Sequence, residues 1–362
     1  MLEEACVVSF LRRRNLVTPA DIVSGELRIE NVSRRNRNFK VTRNGAPGYL
    51  LKQGVGDERR RTVAHEASAY SALSSLDGPA AVLPRFYGFD EQDCVLIVGL
   101  LEDGQSLAEY HRDSGRFSTR RAKLLGEALG AFHAGASKER LTARGASSFA
   151  PFTPMPFRLR RPALAALQQF SAANMEVLRV VHETAGYYDL LDEAEKEWKE
   201  ETLIHGDLRW DNCHVVRQPS GRRKTAMKIV DWELAGWGDP CWDVAMVFSE
   251  YLTFWLLSAP MAKDTPPEKL FSLTKRPLRE VQKALEVFRQ AYARRMGWDQ
   301  AEARTRFFKA VRFLGARLIH TTFEQLQNSP RLTTPAVYLL QLSFNVLEHP
   351  RRTAEELLGM SA

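Results

Sequence analysis

Residues 203–216 read LIHGDLRWDNCHVV, a polar loop that begins with Leu-Ile and ends with Val-Val. Apolar pairs of this kind are typical of short β-strands. A second short apolar strand covers residues 228–230 and is followed directly by the carboxylate of Asp231. The pattern therefore predicts two neighbouring strand ends that bring Asp207 and Asn212 close to Asp231.

These three side chains meet the needs of phosphoryl transfer from a nucleotide. That reaction needs a carboxylate for the proton of the acceptor hydroxyl, oxygen ligands for magnesium, and positive charge on the phosphates. We expect Asp207 to be the catalytic base, and Asn212 and Asp231 to bind Mg2+, because oxygen-only ligation favours magnesium over zinc. Arg209 follows the base by two residues. We expect it to screen charge on the transferred phosphoryl group.

The spacing of these residues resembles that of a known family. The chain carries H-x-D-x-x-x-x-N at 205–212, D-W-E at 231–233 and G-D-P-x-x-D at 238–243, in that order. This combination is similar to the signature of the aminoglycoside phosphotransferase and choline kinase group, relatives of protein kinases. The similarity extends over roughly residues 20–250.

The resemblance implies an α+β, two-lobed protein-kinase-like fold, with a small antiparallel-sheet N-lobe and a larger, mainly helical C-lobe. It implies that Lys52, on the third strand, grips the α- and β-phosphates of ATP and pairs with Glu66 on the following helix. Val98 and Leu100 would lie on the hinge strand that contacts adenine. Asp243 would brace the catalytic loop.

The loop between the first two predicted strands departs from the protein-kinase pattern. Protein kinases place glycines there so that the backbone approaches the phosphates, whereas residues 33–38 read SRRNRN. Asn36 is the candidate cofactor-binding residue of this loop. Its arginines have three open roles: contact with the phosphates, contact with an anionic acceptor, or exposure to water.

The remaining apolar patterns fit two lobes. Before residue 103 they predict three strands, one helix and two further strands, whereas the rest of the chain is mainly helical by periodicity. We therefore predict an N-lobe at residues 1–103, with its hinge at about 98–103, and a C-lobe at residues 104–362 that holds the catalytic loop and the substrate pocket.

The composition excludes a disordered, a collagen-like and a coiled-coil protein. Hydrophobic residues make up 44% and charged residues 26% of the 362 positions, as in ordinary globular proteins. The 51 Lys+Arg against 44 Asp+Glu give a net charge of +7, which favours anionic partners such as phosphates. The basic residues are scattered and form no single stripe or known module, so we expect no nucleic-acid partner.

Membrane insertion and secretion are not expected either. The most apolar run, residues 251–262, is shorter than the roughly 20 residues of a membrane span. The N-terminal sequence lacks the pattern of a signal peptide. The four cysteines lie far apart, without the spacing of a zinc site or a disulfide framework. We therefore expect a cytoplasmic protein.

Several neighbouring residues have structural interpretations. We expect His205 to hold the loop by hydrogen bonds and Cys213 to be packed and inert. Glu233 either binds a second metal ion or forms a local hydrogen bond. Arg209 has the alternative of an ion pair with Asp211 or Asp231.

The combined prediction is a kinase that uses ATP and Mg2+ to phosphorylate a hydroxyl of a small molecule or a peptide side chain. Arg158, Arg160 and Arg161 lie in a segment predicted to close over the pocket, which disfavours a polycationic acceptor. One alternative is a kinase-like component of peptide natural-product maturation that phosphorylates Ser or Thr, together with a partner protein. Another is a catalytically silent kinase fold that serves as a binding scaffold.

Overall fold

Alternating side chains build the N-terminal sheet. Phe39 and Val41 on the second strand, and Tyr49 and Leu51 on the third, are buried on one face. Lys52 points to the other face because successive side chains of a strand alternate. The computed structural model describes residues 2–144, 149–217, 225–260 and 271–360. The strands of this sheet are Leu27–Asn31 (β1), Arg37–Arg43 (β2), Ala46–Gln53 (β3), Phe86–Asp90 (β4) and Val95–Gly99 (β5).

Helices cover both faces of this sheet, whose antiparallel strands have the order β1-β2-β3-β5-β4. Helix α1 (Glu4–Arg13) buries Phe10 against the face that holds Phe39, and the short helix α2 (Pro19–Val23) follows it. Helix α3 (Asp57–Ser74) buries Tyr70 against the opposite face. The predicted order of the strands and of the long helix α3 is confirmed, although α1, α2 and the short helix Pro79–Val82 between α3 and β4 were not predicted.

The remainder of the chain is mainly helical, which confirms the predicted two-lobed kinase-like fold class. A continuous apolar core joins these helices to the α3 face of the sheet. The helices are Pro79–Val82 (α4), Leu107–Ser114 (α5), Thr119–Gly135 (α6), Lys138–Ala143 (α7), Leu164–Leu167 (α8), Ala172–Glu183 (α9), Tyr187–Lys196 (α10), Pro240–Leu256 (α11), Leu278–Met296 (α12), Gln300–Gln325 (α13), Thr334–Glu348 (α14) and Pro350–Glu356 (α15). Short 3-10 helices lie at Met155–Arg158, Trp210–Asn212 and Phe271–Leu273.

Two small antiparallel sheets hold the polar loop of residues 205–212. One pairs β7 and β10, and the other has the order β6-β8-β9. The loop connects β7 to β8, and Asp231 follows shortly after β9. These strands are Gln105–Ser106 (β6), Thr202–Ile204 (β7), Cys213–Arg217 (β8), Thr225–Ile229 (β9) and Gly236–Gly238 (β10).

The connection between the large sheet and the helical part is short. Strand β5 ends at Gly99 and β6 begins at Gln105. We propose that the boundary between the lobes lies near residue 103, within this connection. None of the helices in the described ranges is both long and apolar enough to cross a membrane.

Candidate active site

A buried carboxylate on α11 fixes the backbone of the loop at residues 205–212. Asp243 is fully buried. Its Oδ2 accepts a hydrogen bond from the backbone N–H of His205 at 2.7 Å, and its Oδ1 accepts one from Gly206 at 3.1 Å. Gly206 has φ = 76°, and a Cβ there would lie 2.7 Å from the ring of Phe152. The loop therefore needs glycine at this position.

His205 connects the loop to the segment that follows β9. Its Nδ1 accepts a hydrogen bond from the N–H of Asp207 at 3.2 Å, and its Nε2 donates to the carbonyl oxygen of Val230 at 2.9 Å. Both ring nitrogens are engaged, and the ring is fully buried. This geometry supports a role in holding the loop and leaves neither nitrogen available to a substrate.

Asp207 and Asn212 lie in direct contact. The Nδ2 of Asn212 donates to the carbonyl oxygen of Asp207 at 2.8 Å and to its Oδ2 at 3.3 Å. Burial raises the pKa of the Asp207 carboxyl, and the positive charge of Arg209 opposes that rise. Nε of Arg209 lies 3.0 Å from Asp207 Oδ1, so its ion pair is with Asp207 and with neither Asp211 nor Asp231.

Lys52 connects the N-terminal sheet to the segment that contains Asp231 and Glu233. Its Nζ lies 2.7 Å from Glu66, 2.7 Å from Asp231 and 3.6 Å from Glu233. Burial lowers the pKa of Lys52, but Glu66 and Asp231 outweigh burial and hold the pKa above its usual range. Burial raises the pKa of Glu66 to about 7. For Asp231, burial raises the pKa, but Lys52 outweighs it and the net shift is downward.

The backbone at Asp231 is unusual. Its φ is 66°, in the left-handed region that residues other than glycine rarely adopt. Such strain persists only where the surrounding structure holds it, and it is frequent at functional sites. The carboxylate of Asp231 accepts a hydrogen bond from Nζ of Lys52 at 2.7 Å.

A cleft of about 580 Å³ lies between the sheet and the loop. Its apolar wall includes Leu50, Leu96 and Val98, which suits a flat heterocycle. Next to this wall, the N–H of Leu100 donates to the carbonyl oxygen of Gly48 at 3.0 Å and is therefore already bonded. The positively charged residues of the lining are Arg34, Arg35, Lys52, Arg59 and Arg209.

The cleft brings together most of the residues that the sequence nominated. Asp207 is outside its lining but is bonded to Asn212, which lines it. Asn36 and Asn38 also line it, and their buried Oδ1 atoms have no hydrogen-bond partner within the described structure. The other nominated residues in the lining are Lys52, Glu66, Val98, Leu100, Arg209 and Asp231.

The oxygen donors of the cleft fit a magnesium ion. Because Nδ2 of Asn212 is turned to Asp207, its Oδ1 is left without a protein partner in the described ranges. Asp231 keeps a depressed pKa and already accepts the ammonium of Lys52. An amide oxygen and an ionised carboxylate are ligands that Mg2+ prefers.

Sequence reasoning missed Arg59. Arg59 is one of the scattered basic residues, in the run Arg59-Arg60-Arg61, to which the sequence assigned no role, yet it lines the cleft. The signal was its position in the first turn of α3, after Gly54 and Gly56, since helix N-termini attract phosphates.

Glu250 and Arg317 were also missed. The Oε2 of Glu250 accepts a hydrogen bond from the N–H of Trp210 at 2.9 Å, and burial raises the pKa of Glu250 to about 7. Arg317 is buried and pairs with Glu324 at 2.8 Å. The sequence offered one indication of the contact with Trp210, which was the carboxylate of Glu250 within the apolar sequence of α11.

The basic segment near residue 160 is partly neutralised. Arg160 lies 3.1 Å from Asp189 and 2.9 Å from Asp192, both on α10. The electrostatic argument against a polycationic acceptor is therefore weaker than the sequence suggests.

This fold and this cleft define a phosphotransferase of the kinase-like class. Residues 29–307 match the family model APH, the phosphotransferase enzyme family, and the chain belongs to that family. The resemblance inferred from the motifs is thereby confirmed. No curated protein matches the sequence significantly.

Solved structures share the fold at low sequence identity. A choline kinase from Cryptosporidium parvum Iowa II is 11% identical, with a TM-score of 0.55 and coverage of 98% of this chain and 97% of that chain. The macrolide 2'-phosphotransferase MphH from Brachybacterium faecium is 17% identical, with a TM-score of 0.50 and coverage of 94% and 97%. The amicoumacin kinase hAmiN, in complex with AMP-PNP, Ca2+ and Ami, is 12% identical, with a TM-score of 0.50 and coverage of 95% and 96%.

Proposed function

We propose that this protein transfers the γ-phosphate of ATP to a hydroxyl group of an acceptor, with Mg2+ as cofactor. The observation that carries the proposal is the convergence of four side chains from distant parts of the chain. Asn212 is bonded to Asp207, and Lys52 is bonded to Asp231, at the border of a single cleft. One structure of this fold, that of the amicoumacin kinase hAmiN, contains AMP-PNP and Ca2+, which adds support.

Asp207 acts as the base in this mechanism. The acceptor oxygen forms a bond to the γ-phosphorus, and the bond from that phosphorus to the β–γ bridging oxygen breaks. The hydroxyl proton passes to Asp207, and ADP leaves. The raised pKa of Asp207 makes it a better proton acceptor than an ordinary aspartate.

The cations of the cleft bind and orient the triphosphate. Lys52 is held by Glu66 in position to contact the α- and β-phosphates. Arg209 exchanges its pairing with Asp207 for the transferred phosphoryl group, which frees the base. Asn212 and Asp231 would hold Mg2+, which neutralises charge on the phosphate oxygens when bound. Most of the rate enhancement then comes from positioning and electrostatics.

The test replaces the base by its neutral isostere. Asp207→Asn is expected to lower ADP formation with a panel of hydroxyl acceptors by about 10²–10⁴-fold, the usual contribution of a general base. Stabilisation by Mg-ATP in a thermal-shift titration is expected to persist, because Asp207 lies outside the cleft lining.

The exposed Asp211 in the same loop gives a matched control. Asp211→Asn is expected to leave both readouts near wild type. Full turnover by Asp207→Asn would contradict the assignment of the base. Absence of any thermal shift with Mg-ATP in the wild-type protein would favour the silent scaffold instead.

A further inference from the structure

The positively charged residues of the cleft lining fall into two groups. Lys52 contacts three carboxylates and Arg209 is paired with Asp207, so neighbouring acids already balance both charges. The second group consists of exposed arginines that form no ion pair in the part of the chain that the structure describes: Arg34, Arg35 and Arg59. We name this second group the cleft arginines.

The unpaired charge of the cleft is positive. Among the described residues, Glu58 is the one acid of the lining that also lacks an ion pair. It offsets one of the three charges of the cleft arginines. An anionic group of a ligand is therefore expected beside them.

The strand register places the cleft arginines at one end of the cleft. Leu50 on β3 pairs with Val98 on β5, and both belong to the apolar wall. Lys52 lies two residues further along β3, a span of about 7 Å. Strand β3 then ends at Gln53, and Arg59 lies in the first turn of the helix that follows. The order along this side of the cleft is therefore the apolar wall, Lys52 and Arg59.

The position of Arg59 on α3 agrees with this order. Arg59 and Glu66 both line the cleft and are seven residues apart, which is two helical turns and about 10 Å along the helix axis. Glu66 contacts Lys52. Arg59 therefore lies two turns from that contact, toward the N-terminus of α3.

The loop between β1 and β2 lies at the same end of the sheet. Strand β2 is antiparallel to β3, and Asn38 is paired with Lys52. Strand β2 begins one residue before Asn38, so the loop precedes it on the side away from the apolar wall. Arg34 and Arg35 of this loop consequently line the cleft beyond Lys52.

The backbone of this loop is closed by its own hydrogen bonds. The N–H of Val32 donates to the carbonyl oxygen of Asn38 at 2.9 Å. The N–H of Arg34 donates to the carbonyl oxygen of Asn36 at 3.2 Å, and the N–H of Asn38 donates to Oγ of Ser33 at 3.0 Å. These N–H groups are already used, whereas those of a glycine-rich loop face the phosphates. Contact with an anion falls mainly to the side chains of the loop.

We propose that the cleft arginines bind the β- and γ-phosphates of the nucleotide through their guanidinium groups, an inference that rests on the proposed function. With the base on the apolar wall and the α- and β-phosphates at Lys52, the phosphate chain continues toward this end of the cleft. A guanidinium group presents paired N–H donors that match phosphate oxygens. The arginine side chains thus replace the backbone contacts of a glycine-rich loop, and they make the protein selective for a triphosphate.

The test compares a ligand that carries the outer two phosphate positions with one that lacks them. Binding of Mg-AMP-PNP is measured by isothermal titration calorimetry without any acceptor, and the affinity for AMP by its competition with Mg-AMP-PNP. The loop variant is Arg34→Gln/Arg35→Gln. Its matched control, Arg12→Gln/Arg13→Gln, removes two adjacent exposed charges from α1, which covers the other face of the sheet.

The loop variant is expected to bind AMP-PNP about tenfold more weakly than wild type, because two charged contacts are lost. It is expected to bind AMP within about twofold of wild type, which also shows that the variant is folded. The control variant is expected to bind both ligands as wild type does. Added salt is expected to weaken the binding of AMP-PNP to wild type more than to the loop variant, since exposed charges are screened.

Arg59 is tested separately in the same way. Arg59→Gln is expected to weaken AMP-PNP binding by about threefold and to leave AMP binding unchanged. The matched control is Arg61→Gln, an exposed arginine on the same helix that is outside the lining of the cleft. Equal losses in the two variants would remove Arg59 from the proposed contact and contradict the inference.

Two results with the loop variant would overturn the inference: unchanged binding of AMP-PNP, or equal losses for AMP-PNP and AMP. The first of these, combined with a raised KM for an acceptor, would assign the arginines to an anionic acceptor instead. The proposed function fails separately, because it requires that the wild-type protein bind Mg-AMP-PNP. A wild-type protein that binds this ligand and a loop variant that binds it equally well would contradict the inference alone.

Discussion

The two sides of the cleft between the N-terminal sheet and the loop of residues 205–212 are held in place by different forces. On the sheet side, Lys52 is fixed by charge, through carboxylates within 2.7 Å at Glu66 and Asp231. On the loop side, backbone N–H groups bond to buried or enclosed carboxylates, those of Asp243 and Glu250. The sheet side therefore depends on ion pairs that reach across the cleft, whereas the loop side is fixed within its own lobe.

Because of this difference, substitutions on the two sides are expected to affect different properties: the rate of turnover on the sheet side and the free energy of unfolding on the loop side. A change at Lys52 removes a charge that a nucleotide would use, and leaves the hydrogen bonds of the loop intact. A change at Asp243 removes the support of the loop before any ligand binds. We therefore expect the first to act mainly on catalysis and the second mainly on the free energy of unfolding.

The largest effect is expected from Lys52→Met. Removing a cation aimed at the developing charge typically costs about 10²–10³-fold in rate. We expect a loss of this size in kcat/KM for ATP, measured by ADP formation. Glu66 is then left as a buried carboxylate without its partner, which lowers the free energy of unfolding as well.

A double variant separates the two consequences. Lys52→Met/Glu66→Gln removes the buried unpaired charge, so we expect it to recover stability in urea unfolding and to remain as slow as Lys52→Met. Recovery of turnover in the double variant would show that Lys52 acts through stability alone and would break the contrast between the two sides.

The second-largest effect is expected from Asp243→Asn, and it is a loss of free energy of unfolding. One acceptor oxygen becomes an amide nitrogen that faces an N–H donor, at His205 or Gly206. An unsatisfied buried group of this kind costs about 1–3 kcal/mol. We expect the free energy of unfolding in urea to fall by about 2–3 kcal/mol. Asp189→Asn, at an exposed ion pair, is the control and is expected to change it by less than about 1 kcal/mol.

If Asp243→Asn lowered the free energy of unfolding by less than Asp189→Asn does, the proposal that Asp243 stabilises the loop would be contradicted. The measurement uses the protein without nucleotide, since binding would add its own stabilisation.

The loop side was predictable from sequence because its residues are close along the chain. Asp207 and Asn212 are five residues apart, and two short strands fix their spacing. The pairing of Lys52 with Glu66 was predicted from the family resemblance, because no local sequence pattern indicates that these two residues are in contact. Their contact depends on the packing of α3 against the sheet, which sequence periodicity alone does not specify.

The other features depend on contacts between distant segments. Arg59 resembles any solvated arginine until α3 is placed beside the cleft. Trp210 and Glu250 are forty residues apart, and their hydrogen bond becomes visible only once α11 lies under the loop.

The smallest effect is expected from Glu250→Gln, and it depends on pH. Burial raises the pKa of Glu250 from 4.5 to about 7 in the folded protein. Below pH 4.5 the carboxyl is protonated in both states. As the pH rises toward 7, only the unfolded state releases the proton, so the wild-type protein loses stability through this group. Glutamine does not titrate and keeps an oxygen that accepts the N–H of Trp210.

The free energy of unfolding of Glu250→Gln, relative to wild type, is therefore expected to rise between pH 4.5 and 7. The expected gain is about 2 kcal/mol, followed by a plateau at higher pH. The exposed control Glu195→Gln is expected to run parallel to wild type across this range. Parallel curves for Glu250→Gln would mean that this carboxylate is stabilised in its charged form, by Arg317 and Arg209. The loop side would then depend on ion pairs as the sheet side does, and the contrast between the two would no longer hold.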